Sequence, residues 1–168
     1  LAEIIGADIY GVDAGEANVE LSHRLYRGQT GHMFGESSFP ITSSPDAIFI
    51  AGTYMVPEVF PRLGDIYGAN STVMHVDLDG DAIARNHRVD IPILADPTQT
   101  FNEVSDFIEN NSTVEMRKRF QSRKSLIVTE IQKDREISNK TFRGQALSAT
   151  PTMAAFASQL FAKAKNPI

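Results

Sequence analysis

The chain has 168 residues, enough for one ordinary domain with a real core and too few for a comfortable second one. With 42% hydrophobic and 22% charged residues, and no apolar run near the ~18 residues that cross a bilayer, it has the composition of a soluble globular protein. The absence of cysteine excludes a disulfide framework, a thiolate nucleophile and a cysteine-based zinc site, and the net charge of −5 argues against a polyanionic partner.

Leu1-Ala-Glu-Ile-Ile-Gly6 carries no basic or long apolar leader, so no signal peptide is expected and a cytoplasmic location is the simplest reading. The segment reads instead as the last turn of a helix whose beginning is absent. Residues 7–12 and 46–52 are apolar on successive positions, as in strands covered on both faces, and residues 72–77 and 91–95 continue the series. Short helical pieces around 58–66 and 80–86 lie between them. This alternation predicts parallel βαβ units and, with right-handed crossovers, an α/β fold with a Rossmann-like doubly wound sheet.

Asp96-Pro97 predicts a helix start, since the aspartate caps free amides and proline at the first position loses no hydrogen bond. Phe101, Val104, Phe107 and Ile108 then form an apolar stripe. Ser112-Thr-Val-Glu115 is a capping-box pattern opening a second helix, on which Met116, Phe120, Ile127 and Ile131 recur at helical spacing. Residues 138–150 lack periodicity and read as a linker, and Pro151 to Lys165 supplies a third helix. Residues 1–114 hold five Arg and no Lys against 17 Asp and Glu, a net −12, while residues 115–168 hold 11 basic against four acidic groups, a net +7. The change of sign puts a boundary near residue 112. The basic face around Arg117, Lys118, Arg119, Arg123 and Lys124 has no interleaved aromatics, so it is read as solvated or lying against the acidic part, and no nucleic acid is expected.

Several motifs invite chemistry and fall short of it. His75-x-Asp77-x-Asp79-x-Asp81 departs from a calcium loop at Ala82 and Arg88, where glycine and glutamate are needed, so no metal site is expected. Asp77 instead belongs at the carboxyl end of a strand, with Asp79 as a cap. His32 has no sequence neighbour to act with as a base, and Ser37, Ser38 and Ser43 lack a nucleophile elbow. Gly28, Gly31 and Gly35 do not have dinucleotide-fingerprint spacing. No catalytic residue is assigned.

Two blocks carry a family likeness. Val73-Met-His-Val-Asp-Leu-Asp-Gly-Asp-Ala-Ile-Ala-Arg-Asn86 with Val89-Asp-Ile-Pro-Ile-Leu-Ala-Asp96 resembles the central domain of thiamine-diphosphate-dependent enzymes of the benzoylformate decarboxylase and acetolactate synthase family. His23-Arg-Leu-Tyr-Arg-Gly-Gln-Thr-Gly-His-Met-Phe-Gly35 is similar to that family's His-Pro-Leu-Tyr-x-Gly loop, with Arg24 in place of proline. The resemblance implies a central Rossmann-like domain over 1–112 lacking its first strand, a basic helix and linker over 113–150, and the start of the diphosphate-binding domain over 151–168. It further implies a parent decarboxylase or carboligase, a homo-oligomer, with thiamine diphosphate and Mg²⁺ held by flanking pyrimidine- and diphosphate-binding domains.

The family's Gly-Asp-Gly magnesium segment has no counterpart, because Gly80-Asp81 continues as Ala82, so this chain alone is expected to be non-catalytic. Flavin-dependent members carry an Arg-Phe-Asp-Asp-Arg-type segment where this chain has Gly52-Thr-Tyr-Met-Val-Pro-Glu58, so FAD is not expected. The alternative reading is a nucleotide-binding module of FAD or ADP type, with Gly52 and Asp77 at the rim of the sheet's carboxyl-end crevice. Because the first strand of such a sheet lies in the middle, residues 46–52 and 72–77 are expected to border a central position that these residues do not fill.

Overall fold

A computed structural model describes residues 1–12, 19–30, 35–53, 60, 62–146 and 152–163. Their strands are β1 (Ile9–Gly11), β2 (Tyr26–Gln29), β3 (Ala47–Ala51), β4 (Thr72–Asp77) and β5 (Ile91–Leu94). Their helices are α1 (Ala2–Ile5), α2 (Gly35–Ser43), α3 (Pro97–Asn111), α4 (Val114–Ala146) and α5 (Met153–Lys163). No described helix is long and apolar enough to cross a membrane.

All strand pairings are parallel. β1 pairs with β2, and β3, β4 and β5 form a second sheet in that order, Ala47 to Ala51 lying opposite Thr72 to Val76. The molecule is therefore α/β with parallel sheets, compatible with a Rossmann-like arrangement. Among the described residues β3 has a partner on one side, as expected for 46–52. The same expectation fails for 72–77, because β4 is paired on both sides, by β3 and β5. β5 carries Pro92, which removes a donor from its ladder and suits an edge.

Four predicted strands form, and two further elements arise where the sequence pattern is silent. β2 is Tyr-Arg-Gly-Gln, without apolar alternation; pairing to β1 holds it, and Arg27 on it is neutralised by Asp8 at 2.6 Å and by Glu130. α2 contains Pro40, which breaks an internal hydrogen bond, yet its buried Thr42 hydroxyl donates to the Ile66 carbonyl at 2.8 Å and moors the helix. The predicted helical piece at 80–86 is a run of turns, in which Ala84 takes φ 58, a left-handed value that stops a right-handed helix. The described part of 58–66 is not helical either.

The core is in two parts. Ile50, Ile66, Tyr67 and Val73 pack on one face of the three-stranded sheet, with Ile48 and Val89 against them. Phe49 meets Phe101 of α3 edge to face, ring centroids 4.9 Å apart. Leu25, Ile127 and Ile131 form the second part with Ala2, Ile9 and Val128, so α4 covers β1 and β2. Burying each isoleucine there contributes about 1.5–3 kcal/mol.

Charge reinforces that docking. Gly6 ends α1 at φ 64, and Arg123 donates to the carbonyls of Ile5 and Gly6 while Lys124 reaches the Glu3 carbonyl at 2.9 Å. Arg135 donates to the carbonyls of His23 and Tyr26. The basic helix lies against the acidic first part of the chain, one of its two expected placements.

Three boundaries differ from expectation. α4 continues to Ala146, so most of the supposed linker at 138–150 is helix. Its N-cap is Thr113, whose hydroxyl accepts from the Met116 amide at 3.2 Å, while the Ser112 hydroxyl closes α3 by donating to the Ile108 carbonyl. Phe107, placed in the apolar stripe of α3, is 66% exposed.

Candidate functional site

The two rim residues named from sequence come together at the carboxyl ends of β3 and β4. Gly52 follows β3 at φ 64, its amide donating to the Val76 carbonyl at 3.1 Å, and a Cβ there would meet nothing within 4 Å among the described residues. Asp77 ends β4, one step beyond the Ala51–Val76 pair. The Ala95 amide donates to the Asp77 carbonyl at 3.1 Å, bringing in the end of β5. There Asp96 caps α3 by accepting from the Gln99 amide at 2.8 Å, as the Asp-Pro start predicts.

The carboxylates at this end are occupied by backbone. The Asp79 amide donates to Asp77 Oδ1 at 2.8 Å, and the Asp81 amide donates to Asp79 Oδ1 at 2.9 Å. The expected capping role of Asp79 is thus an aspartate turn rather than a helix cap. No group of three metal-ligating side chains is found among the described residues. The implied Mg²⁺ and thiamine diphosphate therefore do not fit this set, and no step is assigned through them. Asp77, Asp79, Asp81 and Asp96 make the rim acidic, which opposes binding of a phosphate group.

Behind the rim sits His75, 1% exposed and on the same face of β4 as Val73 and Asp77. Its ring donates to the Thr53 backbone carbonyl, while Nε2 has no partner among the described residues. Burial pushes its pKa below the usual histidine value, against the opposing pull of the Thr53 bond and the Asp77 charge. The buried Tyr67 hydroxyl, on the segment packed over this face, is likewise unpartnered among the described residues, and burial pushes its pKa up to about 12. Sequence inspection treated His75 only as part of an acidic string. The strand period held the better clue, since a residue two along from buried Val73 shares its face.

The remaining candidates are dispersed. Ser38 is buried in α2, and the Ser43 hydroxyl donates to the Phe39 carbonyl at 2.6 Å. His32, Gly31 and residues 54–59 lie outside the described residues. Arg24, Arg27, Arg62 and Arg88 are each paired with carboxylates, so none is positioned as an unpaired anion receptor. Two shallow grooves of about 400 and 330 Å³ line α4 away from the carboxyl ends. No protein-family model matches the chain, and no curated protein matches it significantly in sequence.

Proposed function

We propose that the chain is the central, structural domain of a thiamine-diphosphate-dependent 2-oxo acid decarboxylase or carboligase, not catalytic alone, which spaces flanking pyrimidine- and diphosphate-binding domains. The observation that carries this reading is that the Val73–Asp96 block, which bears the family wording, forms two adjacent parallel strands, the first ending in Asp77 and the second, at Leu94, leading into Asp96 as the cap of the next helix. The occupied carboxylates and paired arginines suit a scaffold. In the parent, thiamine diphosphate would supply the electron sink for decarboxylation, and the protein's share would be positioning.

The test is to recover the native polypeptide with antibodies to this chain. A species of about 55–60 kDa is expected, the size of three ordinary domains, with 2-oxo acid decarboxylation that requires thiamine diphosphate and Mg²⁺. A native species without cofactor-dependent activity would refute the reading. The isolated chain should give no saturable micromolar heat with thiamine diphosphate and Mg²⁺. One observation favours a second reading, a nucleotide-binding module: a Cβ at the left-handed Gly52 turn, at a carboxyl end, would meet nothing within 4 Å among the described residues. Saturable ADP or FAD binding, lost in Gly52→Val, would support it over the scaffold.

A further inference from the structure

We propose that His75 is a proton-operated latch on the carboxyl end of the sheet: neutral, it ties the turn after β3 to β4 through the Thr53 carbonyl, and protonated, it lets that turn go. The ring bridges two neighbouring strands at the point where β3 gives way to Gly52 and Thr53. Only one other backbone bond from this turn to β4 is seen among the described residues, the Gly52 amide to the Val76 carbonyl. Among the described residues these two hydrogen bonds join the turn to β4, one of them from a titratable ring.

Protonation changes what that ring asks of its surroundings. The neutral tautomer with hydrogen on Nδ1 donates to Thr53 and leaves Nε2 as an acceptor, a tolerable orphan. The imidazolium places a second N–H and a full charge in the same buried site. The surroundings offer little relief. Ile50 and Pro92 stand opposite His75 on the flanking strands and bring no charge. From the segment over this face comes Tyr67, a neutral phenol, with the Arg88 guanidinium 5.4 Å from its ring centroid and the His87 ring edge-on at 6.0 Å. Asp77 on the same strand is the one carboxylate among the described residues that acts on His75, and its Oδ1 already accepts from the Asp79 amide. Burial wins over that attraction, so the closed turn favours the neutral ring.

The linkage has a definite sign. The closed form has the lower histidine pKa, so opening becomes easier as pH falls below the free imidazole value of about 6.5, and levels off below the closed-state value. Protection of the Gly52 amide should fall by about tenfold for each pH unit in that window, after correction for intrinsic exchange.

The experiment is amide exchange and imidazole nitrogen NMR on the full chain between pH 8 and pH 4. Expected are an Nδ1-protonated neutral ring at pH 8, a His75 midpoint below the ordinary value, and a loss of Gly52 protection in the same window while the amides of Ile127 and Ile131 in α4 hold theirs. His75→Gln, which keeps a donor without a titration, should abolish the step, and Asp77→Asn should retain it. Uniform loss across α4, titration of His75 with Gly52 unchanged, or an unaltered step in His75→Gln would overturn the latch. Should His75→Gln not fold, the coincidence of ring and Gly52 midpoints in the unaltered chain decides alone.

Discussion

Gly6 and Gly52 share one backbone value, φ 64, and differ in what surrounds them. A Cβ on Gly52 meets nothing within 4 Å among the described residues, whereas on Gly6 it meets the Phe120 carbonyl oxygen at 2.6 Å and the Lys124 amide nitrogen at 2.7 Å. Alanine at either site pays for a left-handed residue, about 1–2 kcal/mol, offset by ~0.4–1 kcal/mol from a less flexible unfolded chain. At Gly6 there is a second cost, because backbone of a packed helix cannot swing aside; overpacking of this kind costs about 1–3 kcal/mol. Gly6→Ala should therefore lose about 2–4 kcal/mol and Gly52→Ala about 1 kcal/mol or less. With a urea slope of roughly 2 kcal/mol per molar, the midpoint should fall by ~1–2 M in the first and by ~0.5 M or less in the second. Equal midpoints in the two variants, with unchanged slopes, would refute the close approach of α1 to α4.

Three other outcomes follow from the same contacts. Ile131→Ala removes a side chain that is 4% exposed and should cost about 2–5 kcal/mol in urea unfolding, while Phe107→Ala, at a 66% exposed position, should stay within about 0.5 kcal/mol. Thr113→Ala should lower stability by about 1 kcal/mol through loss of the α4 cap, as should Asp96→Ala at the start of α3; a larger loss from Ser112→Ala than from Thr113→Ala would contradict the capping assigned here. The Arg24 hydrogen bond, helped by charges on Arg24, Lys124 and His23, holds the Glu3 carboxyl below its usual range despite some burial. That contribution is present above the unfolded carboxylate value near 4.5 and is lost as pH falls through the folded value, so Glu3→Gln should flatten the acid limb of a stability profile. An acid limb of the same steepness in Glu3→Gln would count against it.

Local chemistry made much of the α/β plan readable. The apolar residues clustered at 46–52 and 72–77 form β3 and β4, because strands covered on both faces need no strict alternation. Asp96-Pro97 opens α3 since cap and proline act within one turn. The glycine after Ile5 ends α1 for an equally local reason. Of the candidate site, Gly52 and Asp77 were placed together at the carboxyl ends by the strand pattern alone.

Tertiary structure decided the rest, wherever the energy came from groups far apart in the chain. β2 exists through its pairing with β1 and through Arg27 meeting Glu130, 103 positions away. α2 survives Pro40 because Thr42 finds the Ile66 carbonyl, and α4 runs on through a stretch without apolar period once its middle turns, at Ile127 and Ile131, are anchored on Leu25 and Ile9. The burial of His75 and its bond to Thr53 belong to the same class. The acidic string around His75 gives no sign of its burial; the strand register sets it beside Ile50, on the face that Tyr67 packs against, with the Thr53 carbonyl as acceptor. Sequence alone therefore determined which segments are strands and where their polar ends gather, since those depend on period and capping. Which segments pair, which edge stays open and which charges are neutralised depended on contacts that form only when the chain folds.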